Sequence, residues 1–192
     1  MAFRPLQIGP LTIPFPVMLA PMAGYTDTAF RSLCMQYGAG MTYTEVATSE
    51  GIVRGAKRTL HIFEVQPVER PIAAHIYGSD PERMGAAARI IADMNRFDLI
   101  DINAGCPVRK IVHKGAGAAL MRDPQLIADI VRAVRAAVSL PVTVKTRIGL
   151  APDRMNISEV AQAVEEAGAA ALTIHARFAS RQHGGPADWE AL

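Results

Sequence analysis

The chain is poor in cysteine and in net charge, and it lacks any long uninterrupted apolar run. Its 192 residues include only two cysteines, Cys34 and Cys106. Two thiols exclude a small disulfide-held scaffold, and as unpaired groups they fit a reducing cytoplasm. The formal net charge is +2, from 20 Lys+Arg against 18 Asp+Glu. That is no polycation, so any nucleic-acid site must come from local clusters. The stretch Leu6–Thr26 carries no charge, but Pro10, Pro14, Pro16 and Pro21 lie inside it and oppose a spanning helix. No charged leader followed by a continuous apolar core opens the chain, so no membrane partner or signal segment is expected. No Cys/His pair has zinc-ligand spacing, so no metal is expected. The glycines form neither a GxGxxG nor a Walker pattern. What is present is apolar bulk: 50% of the residues are hydrophobic, enough to bury a core and exclude disorder.

Six short apolar or β-branched runs recur: Val17–Ala20, Met41–Glu45, Ile72–Tyr77, Leu99–Asn103, Val142–Thr146 and Ala171–His175. They are continuous rather than alternating, as strands of a buried parallel sheet are. Helical patterns lie between them. Phe30, Leu33, Cys34 and Tyr37 fall at i, i+3, i+4 and i+7, which predicts a helix with Cys34 in the core. Ser79 and Glu82 have capping-box spacing ahead of Met84. Asp123-Pro124 starts a helix with Ile127, Ile130, Val131, Val134 and Val138 on one face. Another carries Val160 and Val164 and stops at Gly168. Trp189–Leu192 reads as the first turn of a sixth helix. The repeated βα unit predicts an α/β fold, a TIM (β/α)8 barrel truncated after about six strands, since a full barrel takes about 250 residues. Residues 1–192 would then form one incomplete catalytic domain. A complete six-stranded open sheet is the alternative.

In a βα barrel the active site is built at the C-terminal ends of the strands. Here those ends carry Ala20-Pro21-Met22-Ala23-Gly24, Glu45, His75-Ile76-Tyr77-Gly78, Asn103-Ala104-Gly105-Cys106-Pro107, Lys145 with Arg147, and His175 with Arg177. Polarity that respects strand ends so consistently points to an enzyme. Cys106 sits between a Gly and a Pro, on a tight turn at the barrel mouth, where a thiol is accessible; a small buried hydrophobe is the competing role. Lys145 shares a strand face with Thr143. A strand lysine needs an anion: a carboxylate, a Schiff-base partner or an anionic cofactor. His175 is either a site residue or a satisfied core histidine. The segment Val108–Ala118 is basic, with Arg109, Lys110 and Lys114, then Gly-rich, and reads as a mobile lid for a polyanion or as a solvated loop.

Taken together, these motifs resemble the tRNA-dihydrouridine synthases along essentially the whole chain, with the bacterial B type nearest. The resemblance rests on Ala20–Asp27, Gly78–Pro81, Asp101–Pro107, Lys114–Leu120, Val144–Gly149, Thr173–Arg177 and Gly185–Trp189. It implies an FMN-containing barrel followed by a helical tRNA-binding domain, and NADPH-dependent reduction of the uridine C5–C6 bond. It also implies roles: Pro21, Met22, Ala23, His75, Lys145 and His175 for FMN, Asn103 for the target uracil, and Cys106 as general acid. In that chemistry, hydride goes to C6 and the thiol protonates C5; a reference thiol is still largely protonated at neutral pH. The base must leave its stack, and Arg109, Lys114 and Arg177 would meet nearby phosphates. A monomer is expected.

Three departures from the family pattern stand out. His75 replaces a usual Gln, His183 replaces a usual Tyr or Phe, and the chain ends before the Asn-Gly-Asp and Gly-Arg segments expected on the last two strands. A flavin enzyme acting on free pyrimidines, or an inactive RNA-binding fragment, remain as alternatives.

Overall fold

A parallel strand buried on both faces must satisfy two neighbours at once, and its two side-chain sets alternate with period two. That alternation organises this molecule. The computed structural model of the chain describes residues 3–192. Its main sheet is parallel throughout. β3 (Thr42–Tyr43) and β4 (Ala47–Thr48) both pair with β5 (Ile72–Tyr77), and β6 (Leu99–Ala104), β7 (Val142–Arg147) and β8 (Ala171–His175) follow in order. Sequential order in one direction is that of a barrel wall. A doubly wound sheet would reverse at a switch point, so the open-sheet alternative is set aside.

Four of the expected strands are met within one residue at each end, and two are changed. Val17–Ala20 joins the sheet only through the Met18–Met41 bridge, with Leu19 N–H donating to the Met41 carbonyl (3.0 Å) and Gly40 N–H to Val17 (2.8 Å). The prolines that flank it remove ladder donors. The expected Met41–Glu45 strand is shortened to β3, with β4 resuming beyond it, because the Thr44 hydroxyl takes the His75 N–H at 3.0 Å in place of a main-chain carbonyl. The sixth, Ala171–His175, is found as read.

The helices are α1 (Thr28–Gln36), α2 (Ser49–Val53), α3 (Lys57–His61), α4 (Pro81–Asp93), α5 (Arg109–Val112), α6 (Pro124–Ala137) and α7 (Ile157–Glu166). None is long and apolar enough to cross a membrane. Four of them, α2, α4, α6 and α7, pack side by side in chain order. They cover the outer sheet face, where Ile72, Ala74, Ile76, Ile100, Ile102, Val142 and Val144 meet Ile91, Ile127, Ile130, Val131 and Val160. The α6 start is as read: Asp123 caps Leu126 N–H at 3.1 Å ahead of Pro124. At α4 the cap is Asp80, which accepts from Arg83 N–H at 2.9 Å, and not Ser79. Ser79 instead donates to the Lys114 carbonyl at 2.8 Å. Residues 189–192 form no helix.

The inner face changes character along its length. At the bottom a hairpin of β1 (Leu6–Ile8) and β2 (Leu11–Ile13) inserts Ile8 and Ile13 against Met41, Tyr43, Ala73 and Leu99. Sequence reading did not foresee this plug. Two residues further up each strand, the inner positions become His75, Asp101, Asn103, Thr143, Lys145 and Arg147.

α1 corrects another expectation. Its apolar stripe faces outward, with Phe30, Leu33 and Tyr37 exposed and Cys34 only half-buried. The side turned inward presents Arg31, whose Nε meets Glu69 Oε2 at 2.6 Å, both side chains being almost wholly buried. Arg31 also donates to the Thr26 and Glu64 carbonyls, and Glu69 accepts from Thr28, Ser32 and Gln66 N–H. This network is what docks α1. Arg31→Ala leaves a buried carboxylate uncompensated and is expected to lower stability by about 3–5 kcal/mol, read as a shift in urea midpoint. A change below about 1 kcal/mol, the ceiling for exposed pairs, would contradict that account.

Candidate active site

Where the inner-face residues reach the C-terminal strand ends, they line a cavity of about 470 Å³. Its wall includes Pro21, Met22, Ala23, His75, Asn103, Cys106, Lys145 and His175, all eight of which stood out in the sequence. The register explains the meeting. His75 pairs with Asp101, Asn103 with Lys145, and Arg147 with His175 across adjacent strands. Three expected phosphate contacts do not line the cavity. Arg109 and Lys114 are exposed, on α5 and on the turn after it, while Arg177 points its Nε at the Gly185 carbonyl (2.9 Å) and lies 2.9 Å from His175 Nε2. The basic stretch expected as a mobile lid is folded into α5 and a 3-10 turn at Gly117–Arg122, with Ile111 buried beneath it.

The Cys106 turn is held from three sides. Asn103 Oδ1 accepts from the N–H groups of both Gly105 (3.1 Å) and Cys106 (2.9 Å). Ala118 N–H donates to the Cys106 carbonyl at 2.9 Å, and a side chain at Gly117, which lies at φ +59°, would meet that carbonyl at 2.7 Å. On the third side, a Cβ at Gly105 would stand 3.0 Å from the Thr146 backbone. Both glycines are therefore required by close approach. The thiol is half-buried on the cavity wall.

Below the turn sits a residue that the sequence presented only as part of a motif. Asp101 is fully buried. Its carboxylate accepts from Thr143 Oγ1 at 2.5 Å and holds His75 Nδ1 at 2.6 Å. The other ring nitrogen, His75 Nε2, faces Asn103 Nδ2 at 2.9 Å. Arg147 was also missed as a site residue. Its buried guanidinium donates to the carbonyls of Gly105 (3.0 Å), Phe178 (3.2 Å) and Gln182 (2.7 Å) and so ties the Cys106 turn to the segment after β8. A strand-end arginine two residues after Lys145 was the available signal.

No Asp or Glu lines the cavity, whereas Lys145, Arg147, His175 and His183 do. Burial lowers the pKa of Lys145, a shift opposed by Asp101 and deepened by Arg147. His175 is pushed down to about 4 by burial first, then by Arg147, Lys145, Arg177 and His183. The His175 and His183 rings lie 6.0 Å apart, tilted by 36°. The result is a largely apolar cavity with Lys145 and Arg147 as its cationic side chains, suited to a ligand bearing negative charge.

The family model described as dihydrouridine synthase (Dus) matches residues 18–192. A probable tRNA-dihydrouridine synthase of Treponema pallidum is 40% identical over 195 residues, covering 99% of this chain and 57% of that protein. The tRNA-dihydrouridine synthase B of Xanthomonas campestris is 41% identical over 187 residues, covering 97% and 56%. A probable tRNA-dihydrouridine synthase 1 of Synechocystis is 41% identical, covering 97% and 52%. The chain thus spans little more than half the length of these curated relatives. Among solved structures, morphinone reductase superposes with a TM-score of 0.58 at 14% identity, over 98% of this chain and 74% of that one. At that identity the likeness shows the fold, a TIM barrel.

The depressed His175 has a consequence for stability. Between its folded value of about 4 and the ordinary 6.5, the unfolded chain holds more protons, so stability rises with pH across that window and is lost on acidification. NMR titration of the His175 ring is expected to show a midpoint near 4. His175→Gln is expected to flatten the urea-midpoint profile between pH 6.5 and 4. An unchanged slope would remove His175 as the cause.

Proposed function

The chain belongs to the dihydrouridine synthase family, and from that premise we propose that it is the catalytic portion of a tRNA-dihydrouridine synthase, reducing the C5–C6 bond of uridines in tRNA with FMN and NADPH. One observation carries the proposal: a thiol and two cationic side chains, Lys145 and Arg147, share one cavity that no carboxylate lines. Its volume falls in the range of small-molecule sites, about 300–1,000 Å³. The apolar residues Pro21, Met22, Ala23, Val46 and Pro107 suit a planar ring, and the cations suit its negative charge.

In this reading Pro21, Met22 and Ala23, with Lys145 and His175, hold the flavin. His75 reaches it only by its ring edge, because both nitrogens are committed. When bound and reduced by NADPH, FMN supplies the hydride for C6 of the uracil. Lys145 offers its ammonium to the negative charge of the ring, while Asp101 behind it favours the charged amine. Asn103 has one amide hydrogen on His75 and keeps the second for a carbonyl of the target base. Cys106 holds a proton at Sγ and delivers it to C5 as charge develops there. The closed turn keeps that thiol at the wall rather than in solvent. Arg109, Lys114 and Arg177 meet phosphates of the tRNA around a uridine drawn out of its stack. In this reading the enzyme works as a monomer in the cytoplasm.

The test is a reduction assay on tRNA lacking dihydrouridine, with NADPH and FMN, and with free uracil as a control. Turnover on tRNA and none on uracil is expected. Cys106→Ala keeps the backbone bonds of the turn and is expected to lower turnover by about 10²–10⁴-fold, the usual worth of a positioned acid, with the flavin absorption band retained after gel filtration. Full activity in that variant would remove Cys106 as the acid. Lys145→Ala is expected to weaken flavin retention; an unchanged band would separate Lys145 from the cofactor.

A further inference from the structure

The hydrogen-bond directions around Cys106 can be assigned outward from groups that have no choice. The backbone N–H groups of Gly105 and Cys106 can only donate, so the Asn103 atom facing them is its oxygen. The amide nitrogen of Asn103 is then turned to His75 Nε2 at 2.9 Å and donates, so Nε2 carries no proton. A neutral ring with an unprotonated Nε2 carries its proton on Nδ1, which faces Asp101 Oδ2 at 2.6 Å. The second Asp101 oxygen accepts from Thr143. Four side chains on three strands thus form one relay with a single direction, ending in the buried carboxylate.

We propose that His75 is a positioning residue: held by Asp101 in its Nδ1–H tautomer, it fixes the amide of Asn103 and through it the turn that carries Cys106. This rests on the reading of Cys106 as proton donor but concerns residues of this chain alone. Were the ring proton on Nε2, it would point at the Asn103 NH₂ group. The amide would have to flip, and its oxygen would leave Gly105 and Cys106. Side-chain volume is unchanged by that switch, so the effect differs from packing. Tyr43, edge-on to His75 at 6.5 Å between ring centroids, and Lys145 also face this carboxylate.

The direct test is the ¹⁵N shift pattern of the His75 imidazole in the unsubstituted chain at neutral pH. The Nδ1–H neutral tautomer is expected; a ring protonated at Nε2, alone or with Nδ1, overturns the proposal. A second test inverts the relay. Asp101→Asn presents an amide that still accepts from Thr143 but donates to Nδ1, which drives the proton to Nε2. In a Cys34→Ser background, Asp101→Asn is expected to speed iodoacetamide alkylation of Cys106 by about twofold to tenfold, the factor matching one lost hydrogen bond. Adding Asn103→Asp supplies a carboxylate that accepts from Nε2 and from both backbone N–H groups, so the rate is expected to return to its starting value. A double variant that reacts as fast as Asp101→Asn, or faster, defeats the proposal. Should Asp101→Asn fail to fold, the tautomer measurement still decides. Neither readout needs uridine reduction. A chain inactive on tRNA but showing the Nδ1–H tautomer would refute the enzymatic reading and leave this inference standing.

Discussion

The structure of the cavity depends on one buried anion. Asp101 lies at the middle of β6, fully buried from bulk solvent, so it must be satisfied by protein. It draws on both neighbouring strands, taking the hydroxyl of Thr143 from β7 and the ring of His75 from β5. It also faces Lys145 and offsets part of the cost of burying that ammonium. Below it the inner face is apolar and plugged by the N-terminal hairpin; above it the face is polar and open. Asp101 therefore marks the floor of the cavity, and the groups that satisfy it are themselves wall residues.

Charge is then divided between two layers. The carboxylate stays behind the wall, and the cations come through it. A ligand in the cavity meets the cations Lys145 and Arg147, beside the neutral ring of His175, without meeting Asp101 or Glu45. Glu45 is engaged elsewhere, accepting from the Gly24 N–H. Such a site favours the more negative of two redox or protonation states of whatever occupies it, because the field is fixed before the ligand arrives.

Much of this was legible in the sequence, for a specific reason. In a parallel sheet each strand end is signalled by a switch from apolar run to polar group, as at His75, Asn103 and His175, and the barrel brings those switches to one rim. What was not legible depended on pairing between distant segments. The outward stripe of α1 has the spacing of a buried face; only the partnership of Arg31 with Glu69, a residue in a separate turn, decides which side turns inward. Thr44 reads as strand, and its interruption of the ladder arises from one hydroxyl choosing the His75 N–H. Asp101 looks like one polar residue in an apolar strand until the register sets it beside His75 and Thr143. Arg147 likewise gains its role from carbonyls that arrive more than thirty residues later, at Phe178 and Gln182.

The parallel topology also has a kinetic side. His75, Asn103, Lys145 and His175 come from four successive strands, each separated from the next by a crossover that must fold and dock first. No hairpin or local segment contains two of the four, so no early, short-range intermediate can hold even half of the cavity wall. Contacts of such sequence separation are expected to form late, by closure of long loops. Its occupancy by a coloured or fluorescent ligand would therefore report complete folding of this wall, where helix content alone would report only its parts.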